Sequence, residues 1–167
     1  EALKCFKQMQ DAGFVPDSIS FLYILKACGN IGSIEIGEEI YGKVSKEGLL
    51  EKDVKLGTAM MDMYARCNML EKAQKVFDIF PCRDIVLWTV LIAGYADHGY
   101  GNQAIHCFEQ MRVEGISPND VTLLCILKAC SITRAIEKGK EIHNQIVDRG
   151  LLEKDSVLGN ALVDMYA

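Results

Sequence analysis

The chain repeats itself at a spacing of 102 residues. Glu1–Asp17 (EALKCFKQMQDAGFVPD) aligns with Gln103–Asn119 (QAIHCFEQMRVEGISPN). Ser18–Asp53 aligns with Asp120–Asp155 at the same offset, sharing ILKAC, the pair IE and the closing GLLEKD. Val54–Ala65 aligns with Ser156–Ala167, again at that offset. A chain built this way folds as an array in which each unit buries its apolar face on its neighbours, not around one central core. The long period subdivides into segments of 36 residues (18–53), 31 residues (54–84) and 35 residues (85–119).

Each segment reads as a pair of helices. In 85–119, Trp88, Ile92 and Tyr95 share one helical face, and Ala104, Phe108 and Met111 share another. Gly99 and Gly101 break the pattern between them, and Asn102 is the expected N-cap of the second helix. Gly115 stands where a left-handed C-cap belongs, with Pro118 just beyond. The 36-residue type gives Phe21–Gly29, then a helix capped by Ser33 and carrying Ile36, Ile40 and Val44; its copy presents Ile142 and Ile146. The 31-residue type gives Lys55–Arg66 and Leu70–Phe80, with Ala73, Phe77 and Phe80 buried and Pro81 as the stop. Gly37 and Gly139 occupy one slot inside a helix; a glycine there costs about 1 kcal/mol, so its double use predicts close helix–helix approach. The expected total is ten helices: one single, four pairs, one single. The chain has no initiator Met and no leader-like segment, so it reads as a window on a longer array whose uncapped ends favour self-association.

Composition narrows the function classes. Half the residues are apolar, yet no run reaches the ~18 of a membrane span, so no membrane partner is expected. Net charge is −5, which opposes a grip on nucleic acid through phosphates alone. The seven cysteines lack a CxxC pair; Cys5 and Cys107 share a repeat slot, as do Cys28 and Cys130, so buried thiols are expected there. Cys125 and Cys130, five apart, point to different faces of a helix. His98, His106 and His143 form no HxE motif, and no glycine-rich phosphate loop or nucleophile–base set occurs. No catalytic residue, metal or cofactor is therefore expected. Glu38, Glu39, Glu109 and Glu114 read as outer-face residues serving solubility, and Trp88 and Tyr95 as core aromatics.

The rotation of 35, 36 and 31 residues resembles the pentatricopeptide repeats of land-plant organelle proteins, in the subclass with P, L and S motifs. LIAGYADHG and QAIHCFEQMRVEGISPN resemble a P motif, ILKAC…GKEIH an L motif, and GNALVDMYA and AQKVFD an S motif. Tetratricopeptide repeats run on a uniform 34 and carry a signature absent here. The resemblance covers the chain as a partial P motif (1–17), L (18–53), S (54–84), P (85–119), L (120–155) and a partial S (156–167). It implies an all-α solenoid of helix-turn-helix hairpins wound as a right-handed superhelix. It also implies binding of single-stranded RNA at one base per repeat, in a mitochondrion or chloroplast.

In such families the fifth and last residues of a repeat read the base edge, and second residues of successive repeats sandwich the base. Carried over, the base readers are Asp17, Thr58, Asp84, Thr89, Asn119 and Asn160. The sandwiching residues are Ile19, Lys55, Val86, Val121 and Val157. Leu22 with Asp53, and Leu124 with Asp155, make weak readers because leucine cannot hydrogen-bond a base. The chemistry is sensible by itself. An ionised Asp only accepts and so suits G or U, whereas an Asn amide can donate to the bare ring nitrogen of A or C. The implied tract is (G/U)-n-G-A-n-pyrimidine. At the thirteenth place stand Asn30, Arg66, Asp97 and Ile132; Arg66 alone fits a phosphate contact, and Asp97 should repel one. Lys55 departs from the aliphatic pattern, although its stem can still pack. For this subclass the resemblance implies site recognition for organellar C-to-U editing, with editing-factor proteins as partners and any deaminase on another domain or protein. A competing reading is a helical scaffold whose long face binds protein; the acidic charge and the two leucines favour it.

Overall fold

The computed structural model describes residues 1–152 and 156–167. The described residues form ten α-helices and no strands: α1 (Ala2–Asp11), α2 (Ser18–Ile31), α3 (Ile34–Lys46), α4 (Val54–Arg66), α5 (Leu70–Ile79), α6 (Ile85–Asp97), α7 (Gly101–Val113), α8 (Asp120–Thr133), α9 (Ile136–Asp148) and α10 (Ser156–Tyr166). They fall into two compact units, Glu1–Arg83 and Asp84–Ala167. None of these helices is long and apolar enough to cross a membrane.

In the first unit, α1 packs on α2, α2 on α3 and α4, α3 on α4, and α4 on α5. In the second, α6 packs on α7 and α8, α7 on α8, and α8 on α9 and α10, which also touch each other. Within each unit the first helices of successive hairpins therefore stack on one another, as the periodicity requires. The core of the first unit includes Leu25, Ile40, Leu56, Met60, Tyr64 and Phe77; that of the second includes Leu87, Ile92, Phe108, Ile126, Ile142 and Ile146. Side chains of this size each contribute about 1.5–3 kcal/mol when fully buried. Because α8 has neighbours on several sides, Cys125 and Cys130 are both buried although they point apart. Burial raises both thiols to a pKa of about 11.

The glycine expectation holds in both units. A Cβ on Gly37 would strike the Met63 thioether on α4, and one on Gly139 would strike Met165 on α10. Met63 and Met165 are themselves equivalent by the 102-residue offset. Gly99 and Gly115 adopt left-handed backbone at φ 83° and 76°.

Four expectations need correction. The N-cap of α7 is Tyr100, not Asn102. Gly101 is inside the helix and buried, where a Cβ would lie 2.8 Å from the Ala129 carbonyl oxygen; it permits contact with α8 and does not break the chain. Ser33 is the N-cap of α3 by position but makes no side-chain cap bond. Cys5 is exposed although Cys107 is buried: α1 packs chiefly on α2, whereas α7 meets both α6 and α8. The outer glutamates also hold specific partners. Glu114 accepts the Trp88 indole N–H at 3.1 Å, Glu38 accepts Lys72 at 2.8 Å, and Glu109 accepts Lys138 at 2.6 Å.

Candidate nucleic-acid interface

At the four repeat boundaries within the described residues, the expected last residue is the N-cap of the next helix. Asp17, Asp53, Asp84 and Asn119 all have extended backbone, the conformation of a residue just outside a helix. Asp53 Oδ1 accepts from the amides of Lys55 and Leu56 at 3.0 and 3.2 Å. Asp84 Oδ1 accepts from Val86 and Leu87 at 3.0 and 2.9 Å. Asp17 Oδ1 accepts the Ser20 amide at 2.8 Å and the Ser20 hydroxyl at 2.7 Å. These bonds, the hydroxyl's foremost, hold the Asp17 carboxyl below its ordinary pKa. Asn119 Oδ1 accepts the Thr122 amide and hydroxyl, both at 2.8 Å.

Capping has a chemical consequence. It occupies one side-chain atom and so determines which atom remains. In the three aspartates the remaining atom is Oδ2, an acceptor. In Asn119 the cap requires the oxygen, so the remaining atom is Nδ2, a donor. Neither Oδ2 of the aspartates nor Nδ2 of Asn119 is bonded to any described residue. Asp17, Asp84 and Asn119 are exposed and Asp53 is half-buried.

The fifth-position threonines bond back to their own helices. Thr58 Oγ1 donates to the Val54 carbonyl at 2.8 Å, and Thr89 Oγ1 to Ile85 at 2.7 Å. Both are half-buried, whereas Asn160 is exposed. Leu22 and Leu124 are half-buried and carry no polar group.

Two expected pairs lie within single units. Thr89 and Asn119 are brought together through Thr122: Thr89 Oγ1 is 2.8 Å from Thr122 Oγ1, which reaches Asn119 Oδ1. Leu22 and Asp53 both belong to the first unit. Thr58 belongs to the first unit and Asp84 opens the second, so each is described in its own. Asp155, the partner expected for Leu124, lies outside the described residues.

The second-position residues emerge as a set. Ile19, Val86, Val121 and Val157 are exposed at 61, 49, 53 and 51 %. Lys55 is exposed too. Aliphatic side chains so open recur at one slot on the first turns of α2, α6, α8 and α10, whereas Leu25, Ile92 and Ile126, farther along their helices, are fully buried. Of the thirteenth-position residues, Arg66 is exposed, with its Nε on Asp62 at 2.8 Å. Asp97 is paired with Lys128 at 2.7 Å, a cation that opposes its expected repulsion of a phosphate. Among the described residues no cluster of His, Cys, Asp or Glu has the makings of a metal site.

Thr122 escaped the sequence reading. It is fully buried, at 0 % exposure. The spacing Asn-x-x-Thr, matched by Asp17-x-x-Ser20, is the signal that points to it. Arg149 was missed as well; its guanidinium donates to the Pro118 carbonyl at 2.8 Å, holding the backbone next to Asn119.

This architecture is shared with known structures. The crystal structure of the pentatricopeptide repeat protein PPR10 in complex with an 18-nt psaJ RNA element matches 98 % of this chain and 24 % of that chain, at a TM-score of 0.79 and 22 % identity. PPR10 from maize, in a structure named without RNA, matches 98 % of this chain and 28 % of its own length at a TM-score of 0.71 and 20 % identity. Among curated Arabidopsis thaliana proteins, a pentatricopeptide repeat-containing protein is 36 % identical over 167 residues, all of this chain and 24 % of its own length. Another, named mitochondrial, is 33 % identical over all of this chain and 30 % of its own. A third, named chloroplastic, is 37 % identical over all of this chain and 20 % of its own. The chain thus spans about a quarter of the length of the curated relatives it matches. Residues 83–132 match the PPR repeat family and residues 58–85 match the PPR repeat, so along its whole length the chain is similar to pentatricopeptide repeat-containing proteins.

Proposed function

We propose that this chain is the RNA-reading part of a plant organellar protein, of the subclass with alternating P, L and S repeats, and that it binds single-stranded RNA at one base per repeat. The observation that carries the reading is the group Thr89, Asn119, Val86 and Val121. It joins a capped amide with an outward donor, a hydroxyl linked to it, and two exposed aliphatics on the first turns that carry them. A base sandwiched by Val86 and Val121 offers its Watson–Crick edge to the amide. Asn119 Nδ2 then donates to a bare ring nitrogen, as adenine N1 provides. The Thr89 hydroxyl, donating to its own helix, keeps lone pairs for an exocyclic amine.

Asp17 and Asp84 present an acceptor and favour G or U, and the Thr58 hydroxyl favours a purine. Asn160 selects a pyrimidine. Leu22 and Leu124 leave the L repeats as weak readers. The tract is (G/U)-n-G-A-n-pyrimidine, and the role is site recognition for C-to-U editing or related processing in a mitochondrion or chloroplast. Chemistry on the base belongs to a separate domain or an editing-factor partner. With Arg112, Lys128 and Lys138 of the second unit engaged in ion pairs, specificity rests on base edges, and Arg66 is the one carried-over phosphate contact.

The test is equilibrium binding to short RNAs carrying GA in register, against the same RNAs with each base swapped, at stated salt. Thr58→Asn should move the preference at its base from G towards U. An unchanged preference overturns base reading in that repeat. Equal binding to all sequences, with capture of a protein partner on the same face, would instead support the scaffold reading that the net charge of −5 favours.

A further inference from the structure

We infer that Thr122, the third residue of the L repeat, is a positioning residue for the base read by the preceding P repeat. Through it the L repeat, whose own fifth residue Leu124 is mute, contributes to reading. The inference rests on the RNA-binding reading above.

The side chain of Thr122 does more than a helix cap needs. Asp53 and Asp84 cap α4 and α6 with backbone amides alone. At Asn119 the Thr122 amide supplies the cap, and the hydroxyl adds a second bond to the same oxygen. The hydroxyl also reaches Thr89, 33 residues away on α6. Two atoms of one residue on one oxygen fix the plane of the Asn119 carboxamide, which would otherwise turn about its last torsion. The donor Nδ2 is thereby aimed before any ligand arrives, and preorganisation of this kind lowers the entropy lost on binding.

Proton counting adds a second point. The contacts Thr89–Ile85, Thr89–Thr122 and Thr122–Asn119 join four oxygens, but the two hydroxyls own only two protons. Two of the three contacts can therefore be filled at once. The clamp on Asn119 holds when Thr122 donates to Asn119, with Thr89 donating either to Ile85 or to Thr122. Thr122 is fully buried, so water does not supply the missing proton. A base amine donating to a lone pair of Thr89 is compatible with either arrangement.

The same device recurs in the first unit. Ser20 is the third residue of the other L repeat, and its hydroxyl and amide both bind Asp17 Oδ1. Leu56 and Leu87 stand at the third place after Asp53 and Asp84, so the clamp occurs where a P repeat hands over to an L repeat.

The experiment measures binding of the full chain to four RNAs that differ only at the base assigned to Thr89 and Asn119. Thr122→Val keeps shape and backbone cap but removes the hydroxyl; Thr122→Ser restores it. The valine variant should lose about five- to tenfold of the preference for A, the scale of one buried hydrogen bond. Preference at the base assigned to Asp17 should be unchanged, and the serine variant should recover most of the loss. If valine keeps the preference and only lowers the melting temperature, Thr122 is a cap and no more. Should the valine variant fail to fold, Ser20→Ala, at a half-buried position, asks the same question of the base read by Asp17; an unchanged preference there overturns the inference. A wild-type chain indifferent to all four bases overturns the RNA reading itself.

Discussion

The segments Glu1–Tyr64 and Gln103–Tyr166 are copies by sequence but not by environment. Both preserve what is local: the glycine facing a methionine, the extended cap, the exposed aliphatic after it. They part where a neighbour decides the outcome. Phe6 and Phe108 share a slot, yet α1 packs chiefly on α2 while α7 meets α6 and α8. Arg149 tethers Pro118, whereas its counterpart Glu47 cannot donate to Pro16. A repeat therefore writes its own helices and caps, and its burial is written by the repeats beside it.

That contrast can be broken most forcefully in the core. Phe108→Ala should lower unfolding free energy by about 3–5 kcal/mol. Phe6→Ala should cost roughly half as much and show as local loss of protection in hydrogen exchange around α1. Equal global losses would mean the two slots are equivalent after all.

Thiol chemistry sharpens the same point. Cys5 and Cys82 are exposed and should react rapidly with a disulfide reagent in the native state. Cys107 should not, despite its kinship with Cys5. Cys28, Cys125 and Cys130 are doubly protected, since burial raises each to a pKa of about 11 and leaves little thiolate at neutral pH. Rapid labelling of Cys107 would contradict the packing of α7 between α6 and α8.

Smaller effects follow at the tethers. Arg149→Gln should cost about 1 kcal/mol through the lost bond to Pro118, while Glu47→Gln should be neutral within error of a denaturant melt. Smallest of all is the pH response of Glu141. The Lys138 ammonium foremost, against a partial burial that opposes it, and then Arg112, hold this carboxyl below its ordinary value. A depressed carboxylate stabilises the fold above its unfolded pKa and loses that contribution as pH falls through the folded one. Glu141→Gln should therefore flatten a slight decline in melting temperature below about pH 4.5, with almost no change at neutral pH.

Much of this was legible before any coordinates. The 102-residue offset specified ten helices and their pairing, because amphipathic periodicity and repeat spacing are properties of the chain itself. Gly37 and Gly139 announced close packing because a helix tolerates glycine only for a reason. The site was legible as residue slots but not as bonds. That Asp17, Asp84 and Asn119 spend one oxygen on capping depends on backbone direction at the helix start. Thr122 was passed over because a threonine early in a helix looks like surface, and only the proximity of α6 to α8 buries it. Asn102 misled because its side chain suits a cap, while Gly101 had to enter the helix to let α7 approach Ala129.

The claim on which the functional account stands is that the atom left over by capping chooses the base. Asn119→Asp changes that one atom from donor to acceptor and keeps the cap. Binding to RNAs varied at this single position should move from A in the wild type to G in the variant, by about tenfold or more each way. The same order of preference in both proteins, with affinity intact, would contradict it.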